Sequence, residues 1–308
     1  MTSSRFSGTI ALSVVVVRFV GDDGITRTLE ALAPQLAPQL APQLAPQLAE
    51  RGGELVVAHR PDEAPPAAMR TRFPAVRWVA CETGASPARM RADGVRASTG
   101  AVVACTEDHC IPASDWCARL LQAHERMHAI VGGAIDKVPT ASAPAWAAYL
   151  LDYARYMSPL PAGPADHASD CNVSYRRSDL DDVSAAWEDE FHETTVQWAL
   201  AARGVTVQLD PSIVVRQHRE IALADYLRER REHGRVYANT RIAGASPLTR
   251  ARLAATALLL TPVLVLRVRG ILATRSARGM VPRAAWGPLV RGAAAWSAGE
   301  WDGYVGRT

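Results

Sequence analysis

Lysine is nearly missing from this chain: Lys137 stands alone beside 33 arginines. With the abundant alanine, that bias points to GC-rich coding more than to any function. An excess of charge is missing too. The 34 basic side chains face 31 acidic ones, for a net charge of +3 over 308 residues, too near neutral for a dedicated nucleic-acid binder. Cysteine is sparse and odd in number: Cys81, Cys105, Cys110, Cys117 and Cys171. That argues against a secreted disulfide framework and for a reduced compartment. Long apolar runs are absent as well. The charge-free stretch from Leu253 to Leu266 has fourteen residues, where a bilayer span needs about 20, so it reads either as a core helix interrupted by Pro262 or as a helix lying in a membrane interface with its flanking arginines on anionic head groups. The valine-rich run from Ile10 to Val17 leads into Gly21-Asp22-Asp23-Gly24 without a small-residue cleavage site, so it reads as a buried parallel strand and not as a signal peptide.

What is present is an ordinary globular balance, 48% hydrophobic and 21% charged, enough for one large domain or two small ones. Strand-like segments at Ile10–Val17, Glu54–Ala58, Val76–Ala80 and Ala101–Cys105 alternate with helix-like segments. The helical segments run from Thr26 onward, over Ser86–Ser98 and over Asp115–Met127. Such alternation predicts an α/β fold, a mostly parallel sheet with helices on both faces, whose ligands sit beyond the carboxyl ends of the strands. Ala-Pro-Gln-Leu occurs four times in tandem over residues 33–48. Each proline costs about 3 kcal/mol inside a helix. A regular helix through all four units is therefore not expected, and three of them read as an expansion with no catalytic role.

The strongest chemical signal follows the fourth strand, in Thr106-Glu107-Asp108-His109-Cys110-Ile111-Pro112. Ionisable residues leaving a buried strand are costly unless they hold something. Carboxylate and imidazole both suit a divalent ion. The alternative is a polar turn leading to a helix capped by Ser114. A zinc set of Cys105, His109, Cys110 and Cys117 lacks the paired short spacings of such sites.

Several blocks in order, from about Ala11 to His218, resemble the family 2 glycosyltransferases. They are Leu12-Ser13-Val14-Val15-Val16-Val17, Thr28-Leu29-Glu30-Ala31-Leu32, Glu54-Leu55-Val56-Val57-Ala58, Arg91-Ala92-Asp93-Gly94-Val95, Val131-Gly132-Gly133 and Cys171-Asn172-Val173-Ser174-Tyr175-Arg176-Arg177. Glu107-Asp108-His109 stands where the family carries an Asp-x-Asp triplet. The resemblance implies a GT-A (Rossmann-like) domain over residues 8–242, with the repeat inserted at 33–48, and a helical, membrane-associated tail over 243–308. It implies a sugar transferred with inversion from a nucleotide-sugar, UDP- or another NDP-sugar, to a hydroxyl on a glycan, lipid-linked saccharide or small molecule. A divalent metal would be held by Glu107 and His109, with His218 as a third ligand. Imidazole is a softer donor than carboxylate, so manganese is favoured over magnesium. His59, Asp62, Arg91, Glu107, Asp108 and Asn172 are the expected donor-binding residues, and Trp187 either stacks on a sugar or simply packs.

Inversion needs a base on the acceptor side. Glu193 lies eleven residues before Gly204, as the family's catalytic aspartate does, with Asp189 or Glu190 as the alternative carboxylate. The sequence departs from the family pattern at three places. Arg18-Phe19 stands where a Pro and an Asn close the first strand, His59 where an Asp closes the second, and Ala92 where an Asn follows the arginine. No Gln-x-x-Arg-Trp motif occurs, which implies single additions and not processive synthesis. Arg228, Arg231 and Arg235 share one helical face. Two other readings stand beside the transferase: a nucleotidyltransferase of similar layout, and a catalytically inactive membrane-bound partner. The expected location is the cytoplasm, at the inner face of the cell membrane.

Overall fold

The structure is a computed structural model that describes residues 10–18, 22–36, 52–126, 128–242, 245–257 and 259–306. Two compact units are present. One comprises Met1–Asp136 with Leu160–His218, the other Lys137–Pro159 with Arg219–Thr308. The boundary at His218 precedes the residue-242 boundary read from the sequence.

In the first unit the valine run forms β1 (Leu12–Val17), every residue buried. It pairs in parallel with β2 (Gly53–His59) and β4 (Val102–Glu107), and β2 pairs in parallel with β3 (Val76–Ala80). The remaining strands are β5 (Cys110–Pro112), β6 (Ile130–Lys137), β7 (Gly163–Ala165), β8 (Val173–Arg176) and β9 (Val207–Gln217). They complete one sheet of order β3-β2-β1-β4-β8-β6-β9-β5, with β7 on β9. The pairs β4–β8, β6–β8, β5–β9 and β7–β9 are antiparallel. The sheet is therefore mixed: parallel over β3-β2-β1-β4 and antiparallel beyond. Buried apolar runs mark the parallel half in the sequence, whereas the antiparallel half mixes the short β5, β7 and β8 with the long β6 and β9.

Helix α1 (Asp22–Leu36) takes in the first Ala-Pro-Gln-Leu unit, with Pro34 inside it. The other three units, residues 37–48, lie outside the described residues. After the short α2 (Ala67–Arg72) comes α3 (Pro87–Ala97). Ser86 caps it by accepting from the Arg89 N–H, and Pro87 opens its first turn. Gly94 lets α3 lie close on β1, because a Cβ there would come within 2.5 Å of Val15 Cγ1. Helix α4 (Trp116–Glu125) starts after Asp115, with no side-chain cap bond, so the Ser114 cap does not form.

The second unit is helical: α5 (Ala143–Tyr153), α8 (Leu223–Arg241), α9 (Pro247–Ala257), α10 (Leu260–Thr274) and α11 (Trp286–Val305). Helices α6 (Arg177–Asp181) and α7 (Glu193–Ala201) belong to the first unit. Helix α11 packs on α8 through glycines. A Cβ on Gly299 would lie 1.9 Å from the Arg231 carbonyl oxygen. Gly299→Val is expected to lower stability by about 1–3 kcal/mol or more, read as a lower thermal midpoint. An unchanged midpoint would show that the helices do not approach so closely.

The three arginines of α8 expected on one face are each paired. Arg228 binds Asp225, Arg231 binds Asp302 and Arg235 binds Glu232. Among the described residues no single helix is long and apolar enough to cross a membrane. Helices α9 and α10 pass by length and composition only together, bent by 56°. The break precedes Pro262, which sits in the first turn of α10, where a proline is tolerated.

Candidate active site at the end of the fourth strand

Strand β4 runs two residues further than the sequence pattern suggested, so Glu107 is its last residue and Asp108 and His109 form the turn into β5. All three are buried. The turn is held from several sides. Asp108 N–H donates to the Val17 carbonyl, the Thr28 hydroxyl donates to the carbonyls of Asp108 and Cys110, and the His218 N–H donates to the His109 carbonyl at 2.9 Å. His218 thus joins the cluster through its backbone.

Glu107 faces two ways. Its Oε1 accepts from Arg91 Nη2 at 3.1 Å. Its Oε2 lies 3.2 Å from His109 Nε2 and accepts from the Cys171 thiol at 3.1 Å. Arg91, reaching across from α3, also binds Asp170 Oδ2 at 2.6 Å and donates to the Phe191 carbonyl at 3.2 Å. One buried guanidinium therefore ties together the end of β4, the loop before β8 and the loop before α7. A planar fork of donors suits that task better than an ammonium would.

The electrostatics follow from burial. Burial and the charge of Asp170 push the Glu107 carboxyl above the ordinary carboxylate range, against His109 and Arg91. Burial alone would lower the His109 imidazole, but Cys110, Asp108 and Glu107 outweigh it and lift it to about 9. The cluster therefore favours a positive charge at this point. Burial, then Asp170, push the Glu193 carboxyl up to about 7, with Arg91 opposing.

Glu193 opens α7, and its carboxyl feels the charges of Asp170, Arg91 and Glu107. The alternative carboxylate Glu190 lies on the exposed side, accepting from Ser86 at 2.6 Å and facing His192. The Ser86 and His192 hydrogen bonds hold Glu190 below the ordinary range. A partly buried carboxyl near neutrality suits a base, whereas a solvated one held low does not.

The donor set fits a divalent cation. Glu107 Oε2 and His109 Nε2 are as close as two ligands of one ion, about 3 Å. The ligand atoms of His109, Cys110 and Cys171 lie within 4.8 Å of one another, as do those of Glu107, Asp170 and Cys171. Carboxylate, imidazole and thiol together favour a transition ion over magnesium.

Other sequence-derived residues stand apart or are committed elsewhere. His59 ends β2, with its Nδ1 2.8 Å from the Arg60 carbonyl and its ring edge-on to Trp78. Asp62 is exposed in a single turn, 4.0 Å from Arg60. The Asn172 amide accepts from Trp116 Nε1 and donates to the carbonyls of Ala134 and Ile213, so it braces three segments. Trp187 is buried, donates to the Leu180 carbonyl and packs on Phe191, so it is a core residue and not a sugar platform. Sequence reading missed Asp170 and Cys171. The available signal was an acid directly before the Cys171–Arg177 block.

Comparison with known proteins bears on the fold. Residues 64–184 match the family described as Glycosyl transferase family 2. No curated protein sequence matches the chain. Three solved structures share its fold. The mannosyltransferase PcManGT from Pyrobaculum calidifontis, in complex with GDP-Man and Mn2+, is 16% identical with a TM-score of 0.52, over 97% of this chain and 90% of that one. S. aureus TarS 1–349 in complex with UDP is 11% identical with a TM-score of 0.50, over 96% and 92%. GalNAc-T7 with UDP, GalNAc and Mn2+ is 13% identical with a TM-score of 0.51, over 69% of this chain but 44% of that one. The chain spans 66% of a further TarS 1–349 structure.

Proposed function

We propose that this chain, a glycosyltransferase of the GT-A, family 2 type, moves a sugar from a nucleoside-diphosphate sugar to a hydroxyl group, inverting the anomeric centre and adding one residue at a time. The acceptor is a glycan, a lipid-linked saccharide or a small molecule. The observation that carries this reading is the meeting of Glu107, Asp170 and His109 with a near-neutral Glu193 at the end of β4. The named ligands of PcManGT, TarS and GalNAc-T7 support the donor class.

A divalent cation held by Glu107 and His109 would supply charge neutralisation for the departing diphosphate, worth several kcal/mol. The chain's own residues do the rest. Arg91 fixes Glu107 and Asp170, so that Oε2 of Glu107 stays turned to His109. Asp108 anchors the turn to β1 through its backbone. Glu193 takes the proton of the acceptor hydroxyl. As that O–H bond breaks, the oxygen bonds to the sugar's anomeric carbon, and the bond from that carbon to the diphosphate oxygen breaks. Because the base must be ionised, kcat/KM is expected to rise with pH through about 7, the value to which burial lifts Glu193. An acid limb near the ordinary glutamate value, about 4.3, would point to another base.

Imidazole and thiols at the cation site predict higher activity with manganese than with magnesium. His109→Asp should narrow that ratio by replacing a borderline donor with a hard one. Equal rates with both ions in the unaltered chain would remove His109 from the ligand set. A panel of nucleotide-sugars assayed for metal-dependent release of nucleoside diphosphate tests the reaction itself. Release of inorganic pyrophosphate from a nucleoside triphosphate and a sugar phosphate would instead identify a nucleotidyltransferase.

A further inference from the structure

From residue 243 to residue 299 the sequence holds eight arginines and no acidic residue. The acids elsewhere in the second unit already have partners. Asp152 binds Arg230, Glu229 binds Arg219, Asp225 binds Arg228, Glu232 binds Arg235 and Asp302 binds Arg231. Glu220 accepts from the Ser142 N–H, and Glu300 accepts from Trp296 and Tyr304. Arg269, Arg278 and Arg283 are exposed, and among the described residues none has an ion pair. These three line one pocket of about 320 Å³, together with Val281 and Trp286. Three unneutralised guanidinium groups around a hollow of that size repel one another unless an anion lies between them. Arginine's planar fork matches phosphate oxygens.

The pocket adjoins an apolar surface on the same helix. Along α10, Pro262, Leu266, Arg269 and Ala273 are all exposed and follow one another at helical spacing, while Val268 and Leu272 on the adjoining face are buried. Leu266 is 63% exposed, Val263 54%, and Leu259, just before the helix, 65%. A row of large exposed apolar side chains ending in a basic pocket is the composition of an interfacial membrane helix.

We propose that this pocket and stripe form a docking site for an anionic membrane lipid. The phosphate headgroup lies among Arg269, Arg278 and Arg283, and Leu259, Val263 and Leu266 enter the edge of the hydrocarbon layer. Charge and apolar complementarity together select the occupant: an anionic lipid offers a phosphate next to an extended apolar surface. The site stands independently of the transfer reaction proposed above, since its readout is binding.

The test is flotation of the full chain with phosphatidylcholine vesicles, with and without phosphatidylglycerol, alongside calorimetry with inorganic phosphate. The chain should bind the anionic vesicles and not the neutral ones, and more weakly as salt rises. Arg269→Gln, Arg278→Gln and Arg283→Gln combined should weaken binding on the order of 100-fold, at about one headgroup contact per arginine. Leu266→Glu should weaken it as well, and as a single exposed substitution it serves if the triple variant folds poorly. No binding to anionic vesicles, equal binding to both kinds, a triple variant that binds like the unaltered chain, or capture of inorganic phosphate without vesicle binding would each overturn the proposal.

Discussion

Glu193→Gln is expected to lower turnover by roughly 10²- to 10⁴-fold, the contribution of a positioned base, while nucleotide binding is retained. Glutamine keeps the shape and the first-turn position on α7 but cannot accept the proton. Folding serves as the internal control, and its sign can be worked out. Glu193 is lifted to about 7 in the folded chain, above its unfolded value. The folded state therefore holds more protons than the unfolded state between those two values, and stability falls as pH rises through that window. Above it, the charged carboxylate is a net cost, which glutamine removes. At pH 8 the variant should be at least as stable as the unaltered chain in thermal unfolding. Full turnover in the variant would remove Glu193 from the mechanism. Loss of turnover with loss of stability would point to a structural role.

Arg91→Met is expected to be the most damaging single change in the first unit, at roughly 3–5 kcal/mol in denaturant unfolding. Methionine fills much of the same space, so the loss is electrostatic. Glu107 is left buried with His109 as its one remaining cationic neighbour among the described contacts, Asp170 loses its arginine, and the Phe191 carbonyl loses a donor. Arg91→Lys should recover only part, since an ammonium cannot serve three acceptors in the same plane. Combining Arg91→Met with Glu107→Gln should restore part of the stability, because the neutral amide no longer needs a countercharge. A loss below about 1 kcal/mol, the range of exposed pairs, would mean that the clamp is solvated and does not organise the site.

Much of this architecture could be read from local pattern. A run such as Leu12–Val17 has only one economical fate, a central parallel strand, and Ser86-Pro87 announces a helix start by the chemistry of its first turn. The ionisable triplet after β4 was conspicuous because buried charge is costly. What could not be read was long-range. Ala101–Cys105 looked like the whole strand because Thr106 and Glu107 are polar, yet both are buried by contacts that sequence distance hides, Thr106 to Cys171 and Glu107 to Arg91 and Cys171. Asp170 had no local pattern to mark it. Glu190 and Glu193 are indistinguishable by type, and only the surroundings separate a solvated carboxylate from a partly buried one. Asn172 stands in a block whose position implies ligand binding, and only the fold reveals that its amide completes three hydrogen bonds to Trp116, Ala134 and Ile213.

The most direct measurement is calorimetric titration of the full chain with uridine and guanosine diphosphates, with and without manganese, repeated on His109→Ala. A cation gripped at the end of β4 requires that one of these nucleotides bind more tightly when manganese is present, and that His109→Ala abolish the difference. Binding of neither ion nor nucleotide by well-folded protein, or nucleotide binding indifferent to manganese and to His109, would contradict it.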